Sequence, residues 1–402
     1  VALLPIEFLH DGVPQLNLES EWTPPHHEEP IYPEVNAQEM GEVLSRLLAR
    51  PNIASKEWWV RSYDHEVIAQ TVIKPFCGVN HDAPGDAAVI APIHGNTQGA
   101  VISCGIIPRY SDIDTYAMVA GCIDEAVRNA VCVGVDLDRM AGLDNFCWPD
   151  SVESKKTPDG RYKLAQLVRA NRALDEICRI YQLPCISGKD SMKNDAILDG
   201  KKISVPPTLL FTLMGNHEDV TKAVSSDFKE SGDLIYLLGE THQELGASEL
   251  ASMLQDETGG GIGGRVPEID AQRNLAMYRS LTTAMRDKLV ASAHDCSDGG
   301  LATAFAEACF GANAGAFIDI SGMASCDGLD KWGALFGESL GRILVSVKPA
   351  NSEKFEESMA GHKFTQLGVV GTTDEIQISN GNDVLLEASM SALKDSWQAT
   401  LD

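Results

Sequence analysis

Residues 294–301 have the sequence HDCSDGGL, and this stretch decides the fold that we predict for the chain. It joins an apolar strand, predicted over 290–294, to an alanine-rich helix predicted over 300–310. Two carboxylates, a hydroxyl and two glycines thus stand at a helix N-terminus, which favours a metal-bridged phosphate. Asp298 could equally be an ordinary N-cap. A Ser-His-Asp triad is rejected because adjacent residues on a strand point apart and no GxSxG elbow is present.

Strands and helices alternate on both sides of this stretch, so we predict two α+β layers joined near 216–232. In the first layer we expect strands at 63–74, 86–91, 185–186 and 208–214, and helices at 113–135 and 164–181. In the second we expect strands at 234–238, 290–294, 316–320, 342–347 and near 367 and 376, and helices at 245–254, 268–289, 300–310, 329–338 and 352–359. No convincing internal repeat is present.

The first 60 residues are predicted to precede both layers. Residues 1–35 hold six of the eighteen prolines, which is typical of an extended connector. Asn36 and Glu39 form a capping-box pair ahead of apolar residues at helical spacing, and Pro51 ends the predicted helix. The predicted domains are therefore a linker over 1–60, an N-terminal domain over 61–216 and a C-terminal domain over 217–402.

Composition excludes several classes of protein. With 32 basic and 58 acidic residues among 402, the formal net charge is −26, which disfavours binding to nucleic acid and to anionic membranes. No apolar run approaches the roughly 18 to 20 residues that a bilayer crossing needs. The chain begins without Met and lacks a secretion signal, so we expect a processed or excised piece.

The ten cysteines include no CxxC pair, and several lie in apolar runs. A disulfide framework or a zinc site is therefore disfavoured against buried, reduced thiols in a cytoplasmic protein. The histidines show no metal-binding spacing, and the pair at 26–27 is predicted to lie in a loop.

Two further clusters carry acids. Residues 84–89, PGDAAV, place Asp86 in a tight turn that opens a buried strand, although an Asp that bonds its own backbone would look the same. Residues 124–129, DEAVRN, place Glu125 and Asn129 on one helix face, where two oxygen donors can converge on a hard cation. Asp124 and Arg128 in the same stretch could be merely a solvated salt bridge.

The fourth cluster, residues 186–192 with sequence ISGKDSM, is predicted to be a polar turn after a strand. Gly, Lys and Ser together suit a phosphate, but the Walker A spacing is absent and a purely structural turn is an equal alternative. The glycine run at 259–264 lacks the GxGxxG spacing and is predicted to be a flexible loop.

Taken together, four side chains form an all-oxygen ligand set suited to Mg²⁺. They are Asp86, Glu125, Asn129 and Asp295. Because the chain is acidic, a phosphate ligand would need metal ions to offset the negative charge. This ligand set therefore indicates ATP chemistry without a P-loop.

Seven motifs in a fixed order also give the chain a family resemblance. They lie at 85–88, 124–129, 143–146, 187–192, 206–209, 294–301 and 336–339. From about Tyr63 onward the chain closely resembles the synthetase region of the phosphoribosylformylglycinamidine synthase family. The superfamily also includes aminoimidazole ribonucleotide synthetase, selenophosphate synthetase and thiamine-monophosphate kinase. The motifs at 124–129 and 188–192 favour the first family over these relatives.

The resemblance implies an N-terminal α/β domain plus a C-terminal α+β domain, as in the second half of a duplicated synthetase region. Residues 1–60 would be the linker and the tail of the preceding half. Mg²⁺ would be held by Asp86, Glu125, Asn129 and Asp295. The nucleotide and the substrate would be bound by Gly85, Asp144, Gly188, Lys189, Ser191 and Ser297. The family's catalytic histidine belongs to the first half and is not expected in this chain.

The implied reaction converts formylglycinamide ribonucleotide to formylglycinamidine ribonucleotide. ATP would phosphorylate the formyl oxygen, ammonia from glutamine would attack, and phosphate would leave. Implied partners are the first half of the synthetase and a glutaminase domain or subunit, or a second copy of this chain in a homodimer. The alternatives are a non-catalytic nucleotide-binding half that scaffolds a missing partner half, and another phosphotransferase of the superfamily. A selenophosphate-synthetase-like enzyme is disfavoured because no reactive Cys or Lys lies in an N-terminal glycine-rich loop.

Overall fold

A computed structural model describes residues 2–12, 15–326 and 328–401. Within them the α-helices are α1 (Ile6–Asp11), α2 (Ala37–Leu48), α3 (Glu57–Arg61), α4 (Thr115–Cys132), α5 (Gly160–Tyr181), α6 (Glu249–Thr258), α7 (Ala271–Arg286), α8 (Gly300–Ala312), α9 (Lys331–Phe336), α10 (Ser352–Ser358) and α11 (Met390–Ala399). No helix in this part of the chain is both long and apolar enough to cross a membrane.

The strands form two large sheets and two short hairpins. They are β1 (Thr71–Ile73), β2 (Phe76–Cys77), β3 (Ala83–Pro84), β4 (Ala88–Ile90), β5 (Gly99–Gly105), β6 (Asp136–Cys147), β7 (Cys185–Ser191), β8 (Asp195–Leu198), β9 (Lys201–Ser204), β10 (Thr208–His217), β11 (Leu234–Leu238), β12 (Ser292–Asp295), β13 (Ala316–Asp319), β14 (Ile343–Val347), β15 (Phe364–Val370), β16 (Glu375–Asn380) and β17 (Asp383–Ser389). The predicted mixed α/β and α+β fold is confirmed.

The first sheet has the strand order β1-β4-β5-β10-β6-β7 and is antiparallel except for the β6–β7 pair. Helix α4 packs on one face, where Leu209, Phe211 and Leu213 of β10 are buried completely. Side chains alternate along a strand, so the residues between these point to the other face. That face exposes Met214 of β10 and Ile102 of β5. We call it the open face.

The second sheet has the order β12-β14-β11-β15-β13-β16-β17, with β13 and β16 parallel. Strand β14 is buried along its whole length, as its sequence ILVSV predicts for a central strand. Helix α8 is apolar almost all round and packs beside β12 and β14. The second layer therefore has its own hydrophobic core.

Helix α2 confirms the predicted capping box. Asn36 Oδ1 accepts hydrogen bonds from the backbone of Gln38 and Glu39 at 3.0 Å each, and Glu39 accepts from the Asn36 N–H at 2.8 Å. The helix lies within the predicted linker, yet it packs on β17 and α11 and buries Met40 and Leu44 completely. Part of the predicted linker is thus an element of the second layer. The boundary between residues 216 and 217 stays a prediction.

The extended stretch over 15–35, which we call the N-terminal segment, lies against the folded layers. Trp22 stacks on Tyr162 of α5 with ring centroids 5.4 Å apart, and the Arg169 guanidinium lies 4.5 Å from the Trp22 ring. Such aromatic and cation–π contacts contribute on the order of 1 kcal/mol each. The segment is therefore docked on the first layer.

The same segment explains the glycine run at 259–264. Gly263 N–H donates to the Glu28 carbonyl at 2.8 Å, and a Cβ added to Gly261 would lie 1.8 Å from that carbonyl oxygen. No side chain fits so close to backbone. The predicted loop is present, and its glycines form the surface on which the N-terminal segment lies.

Several strands differ from the predictions. The strand expected over 63–74 is reduced to Thr71–Ile73 behind a 3-10 turn at Val67–Ala69. Residues 185–191 form the edge strand β7 rather than a strand followed by a polar turn. Strands β5 and β6, the hairpin β8–β9, strand β17 and helix α11 were not predicted at all. Helix α4 begins at Thr115, two residues late, because Asp114 caps it.

Candidate functional site

The candidate site lies where the two layers meet. Asp86 stands between β3 and β4 of the first layer, and His294 and Asp295 end β12 of the second. Ligand atoms of these three residues lie within 4.8 Å of one another. The structure thus brings together two of the predicted metal ligands, Asp86 and Asp295, which are 209 positions apart in the sequence.

Both ring nitrogens of His294 form hydrogen bonds with carboxylates. Its Nδ1 lies 2.6 Å from Asp86 Oδ1, and its Nε2 lies 3.1 Å from Glu307 Oε2 of α8. Since both neighbours are carboxylate oxygens, both nitrogens carry hydrogen and the ring is an imidazolium. Burial lowers the pKa of His294, but Asp86 and Glu307 outweigh it and hold that pKa well above its usual value. His294 therefore orients Asp86 and has no lone pair for a metal ion. The motif contained His294, but sequence reasoning gave it no role.

Arg128 of α4 organises the other carboxylate. Its guanidinium donates to Asp124, to Asp295 Oδ2 at 3.3 Å and to Ser297 Oγ at 2.9 Å. Asp124 and Arg128 are completely buried, so the alternative of a solvated salt bridge is wrong. Because Arg128 occupies Asp295 Oδ2, the second oxygen of Asp295 is the one left for a ligand. The apolar sequence around 124–129 was the signal for this burial.

Asp124 in turn joins the layers. It accepts hydrogen bonds from Tyr181 of α5 and from Asn274 and Tyr278 of α7, the last two at 3.1 and 2.9 Å. A buried carboxylate with this many donors is fully compensated. The network therefore fixes the position of Arg128 and, through it, of Asp295.

Glu125 and Asn129 share one face of α4, as predicted. Glu125 Oε2 accepts from the Ile106 N–H at 2.8 Å, and Asn129 Nδ2 donates to the Cys104 carbonyl at 3.0 Å. Burial, with Asp295 adding to it, raises the pKa of Glu125 to about 8. Among the described residues Glu125 lies outside the 4.8 Å cluster. The complete four-residue ligand set therefore stays a prediction.

Two buried oxygen atoms in this region lack hydrogen-bond partners, which bears on whether the residues could hold a metal ion. Asp86 Oδ2 and Asn129 Oδ1 are buried and have no hydrogen-bond partner. Such an orphaned acceptor costs on the order of 1–3 kcal/mol. Burial raises the pKa of Asp86 to about 6, although His294 lowers it. Both orphans belong to predicted ligands and both are hard oxygen donors, so the residues present fit a divalent cation such as Mg²⁺.

A second group of acids surrounds the start of α8. Glu338 Oε1 accepts from the N–H groups of Gly299 and Glu249, and Oε2 accepts from the Tyr110 hydroxyl, each at 2.9 Å. Burial raises the pKa of Glu338 to about 7 and, together with Glu338, holds that of Asp298 well above its usual range. The N-cap of α8 is Gly299, without a side-chain cap, so Asp298 is not an ordinary N-cap. Asp298 and Glu338 are candidate site residues that sequence reasoning missed.

The remaining predicted residues lie elsewhere. Gly85 precedes Asp86, and Ser297 contacts Arg128, so both adjoin the carboxylates. The other four, Asp144, Gly188, Lys189 and Ser191, lie on β6 and β7 at the far edge of the first sheet. Four strand spacings of ~4.8 Å separate β4 from β7, which amounts to roughly 19 Å.

This outer group consists of two pairs, because Asp144 and Gly188 are in register with the buried Phe211 on the helix-covered face, whereas Lys189 and Ser191 lie on the open face. A Cβ on Gly188 would lie 2.9 Å from Asp144 Oδ1, and Lys189 donates to the Ser191 hydroxyl. Register places Lys189 beside Asn145, so its side chain belongs to the open face. The predicted nucleotide and substrate residues therefore form two separate groups, and their roles stay predictions.

Comparisons with known proteins identify a domain family and related folds. Residues 230–379 match the family described as AIR synthase related protein, C-terminal domain. Two solved structures from Thermotoga maritima superpose on most of the chain. One is PurL complexed with FGAR, 14% identical, covering 88% of this chain and 53% of its own, with a TM-score of 0.63. The other is phosphoribosylformylglycinamidine synthase II, 14% identical, covering 89% and 52%, with a TM-score of 0.62.

A third solved structure, the HypE–HypF complex, is 15% identical, covers 83% of this chain and 97% of its own, and has a TM-score of 0.56. The chain spans about half the length of the PurL chains that it matches. At such identities the superpositions establish the fold. Residues 230–379 thus match an AIR synthase-related C-terminal domain, and the chain shares the fold of these solved structures.

Proposed function

We propose that this chain is the ATP- and Mg²⁺-binding second half of a synthetase that makes formylglycinamidine ribonucleotide in purine biosynthesis. The observation that carries the proposal is that two of the four predicted ligands hold orphaned buried oxygens, Asp86 Oδ2 and Asn129 Oδ1, and that Asp86 lies beside Asp295. Solved structures of Thermotoga maritima PurL hold ATP, ADP and AMPPCP on this fold, which supports nucleotide binding.

The chain's own residues prepare this site before a ligand arrives. His294 orients Asp86, and Arg128 orients both Asp295 and Ser297. Prepositioned ligands lower the cost of binding because little freedom remains to be lost. Asp86, Glu125, Asn129 and Asp295 would hold Mg²⁺, which when bound neutralises charge on a transferring phosphoryl group. Gly85 and Ser297 would contact the nucleotide.

The outer group on β6 and β7 belongs to the proposed substrate side of a shared cleft. Its strands lie three and four positions from β4 in the first sheet, which separates it from Asp86 by roughly 14 to 19 Å along the sheet. We therefore propose that Asp144, Gly188, Lys189 and Ser191 complete a cleft with residues of a partner half. The open face, with Ile102 and Met214, would form the contact. The partner would be the first half, which carries the catalytic histidine, or a second copy of this chain.

Glutamine-derived ammonia would come from a glutaminase domain or subunit, and formylglycinamide ribonucleotide would be the substrate. The structure of PurL with FGAR supports that substrate class. All ten cysteines of the chain are free and six are buried, which suits a reducing compartment, and we place the protein in the cytoplasm.

Thermal unfolding with ligand tests the nucleotide site. Mg²⁺ with ADP should raise the Tm of the wild-type chain, because a ligand at 100 times its Kd stabilises by about 2.7 kcal/mol. Asp295→Asn combined with Glu125→Gln should abolish the shift. Asp138→Asn, which removes an exposed carboxylate paired with Arg279 outside the site, is the matched control and should keep it. An equal shift in all three proteins would refute the site.

A second candidate is a nucleotide-binding half that only scaffolds its partner. It is favoured by the placement of the outer group on strands three and four positions from β4, because an isolated chain then lacks a complete cleft. Ammonia-dependent turnover, measured with and without a supplied first half, separates the two functions. Turnover only with the first half, lost in the Asp295→Asn variant, supports catalysis. Turnover that is indifferent to this substitution supports scaffolding.

A further inference from the structure

Two cysteine side chains face each other at the edge of the first sheet. Cys178 lies in the last turn of α5, and Cys185 is the first residue of β7. Their sulfur atoms are 3.9 Å apart. Cys178 is buried whereas Cys185 is exposed. In the described part of the chain this is the pair of cysteines whose sulfurs contact each other.

The connection between them allows the sulfurs to approach. A disulfide needs about 2.05 Å between sulfurs, so they must close by about 1.9 Å. Cys185 begins an edge strand, next to a register irregularity between Gly142 and Leu143. Strand ends of this kind shift more easily than the interior of a sheet. The required movement is therefore local.

The pair lies in a wide depression that is open to solvent. A concave space of about 700 Å³ is lined by both cysteines together with Asn171, Asp175 and Arg179. It is wide enough to admit a molecule of tripeptide size to the exposed sulfur of Cys185. Cys178 is buried beneath Cys185, so it is positioned to react after Cys185.

We propose that Cys178 and Cys185 are a modification site that forms a reversible disulfide by exchange with a low-molecular-mass disulfide such as oxidised glutathione. The Cys185 thiolate attacks one glutathione sulfur, and the first glutathione leaves as its thiolate. The Cys178 thiol then loses its proton and attacks the Cys185 sulfur, and the second glutathione leaves. Two protein thiols are oxidised to one disulfide, and oxidised glutathione is reduced to two thiols.

The bond would fasten the start of β7 to the end of α5. Burial raises the pKa of the Cys185 thiol, so the exchange is slow at neutral pH and speeds up as the pH rises and more thiolate forms. Neither thiol belongs to the carboxylate cluster, but Cys185 begins the strand that carries Gly188, Lys189 and Ser191 of the proposed cleft.

Peptide mapping tests the proposal directly. Arg179 lies between the two cysteines, so trypsin separates them into peptides 173–179 and 180–189, which only a disulfide can hold together. After incubation of the native chain with oxidised glutathione at pH 8, the linked pair should appear and reduction should release both peptides. No linked pair, or a stable glutathione adduct on Cys185, would overturn the proposal.

Variants define the order of reaction. Cys178→Ser should convert the product into a stable mixed disulfide of Cys185 with glutathione, since nothing remains to displace the second glutathione. Cys185→Ser changes an exposed residue and leaves the fold intact; Cys178 should then stay reduced. Cys104 is also exposed, so Cys104→Ser is the matched control and should still give the linked peptides. Oxidation of Cys178 in the Cys185→Ser variant would contradict the assigned order.

Discussion

The pKa of Glu125 makes cation binding at the candidate site depend on pH. Its carboxyl group has a pKa of about 8, raised by burial and by Asp295, so at neutral pH it holds a proton. A cation that binds the carboxylate must displace this proton. Binding therefore strengthens as the pH rises, and Glu125→Gln should remove most of this dependence.

The size of the effect follows from the two raised pKa values. Competition by the Glu125 proton weakens binding ~100-fold at pH 6 and ~2-fold at pH 8, for a pKa of about 8. Asp86, with a pKa of about 6, adds a further factor of ~2 at pH 6 and almost none at pH 8. The wild-type affinity should thus rise roughly 100-fold from pH 6 to pH 8, and that of Glu125→Gln only about twofold.

Mn²⁺ is a suitable probe, because electron paramagnetic resonance reports the free ion directly. Titrations at pH 6, 7 and 8 and constant ionic strength give the Kd of each protein. Asp138→Asn serves as control and should keep the wild-type slope, since Asp138 is an exposed residue paired with Arg279. A wild-type Kd that does not change with pH, or an equal slope in Glu125→Gln, would refute the reasoning.

Three further predictions concern the remaining parts of the structure. His294→Asn leaves Asp86 and Glu307 without their shared imidazolium, as when a buried ion pair is broken. The free energy of unfolding, measured in urea, should therefore fall by about 3–5 kcal/mol. A fall of less than about 1 kcal/mol would contradict the prediction. Gly261→Ala should release the N-terminal segment to limited proteolysis, whereas Gly322→Ala, whose new Cβ meets nothing closer than 3.7 Å, should not. Met214→Asp on the open face should abolish self-association in sedimentation; a wild-type chain that is already monomeric at micromolar concentration would refute pairing with a second copy.

Elements with strong local signals were predictable from the sequence. The Asn36 capping box and the apolar spacing behind it placed α2, and an apolar run interrupted by Ser346 placed β14. The motif acids Asp86 and Asp295 were predicted to share a site, and the structure brings them together. The elements were predictable because their signals come from interactions within a few residues. The two acids were predictable because their motifs resemble those of a family in which both belong to one site.

Features that depend on neighbours distant in sequence were not predictable. Strand β6, DLDRMAGLDNFC, is rich in residues that disfavour strands and exists because β10 pairs along almost its whole length. The glycines at 259–264 are explained only by the Glu28 backbone that lies on them. The role of His294 required knowing that Asp86 and Glu307 lie on either side of its ring.

A crystal structure of the chain with Mn²⁺ and ADP, phased on the anomalous signal of the metal, tests the central claim most directly. We expect a Mn²⁺ peak at about 2.1–2.2 Å from Asp86 Oδ2 and Asn129 Oδ1, as for oxygen ligands of a small divalent cation, with Asp295 in the same coordination shell. An ordered Mn²⁺–ADP bound elsewhere, with these two oxygens still unpaired, would contradict the account.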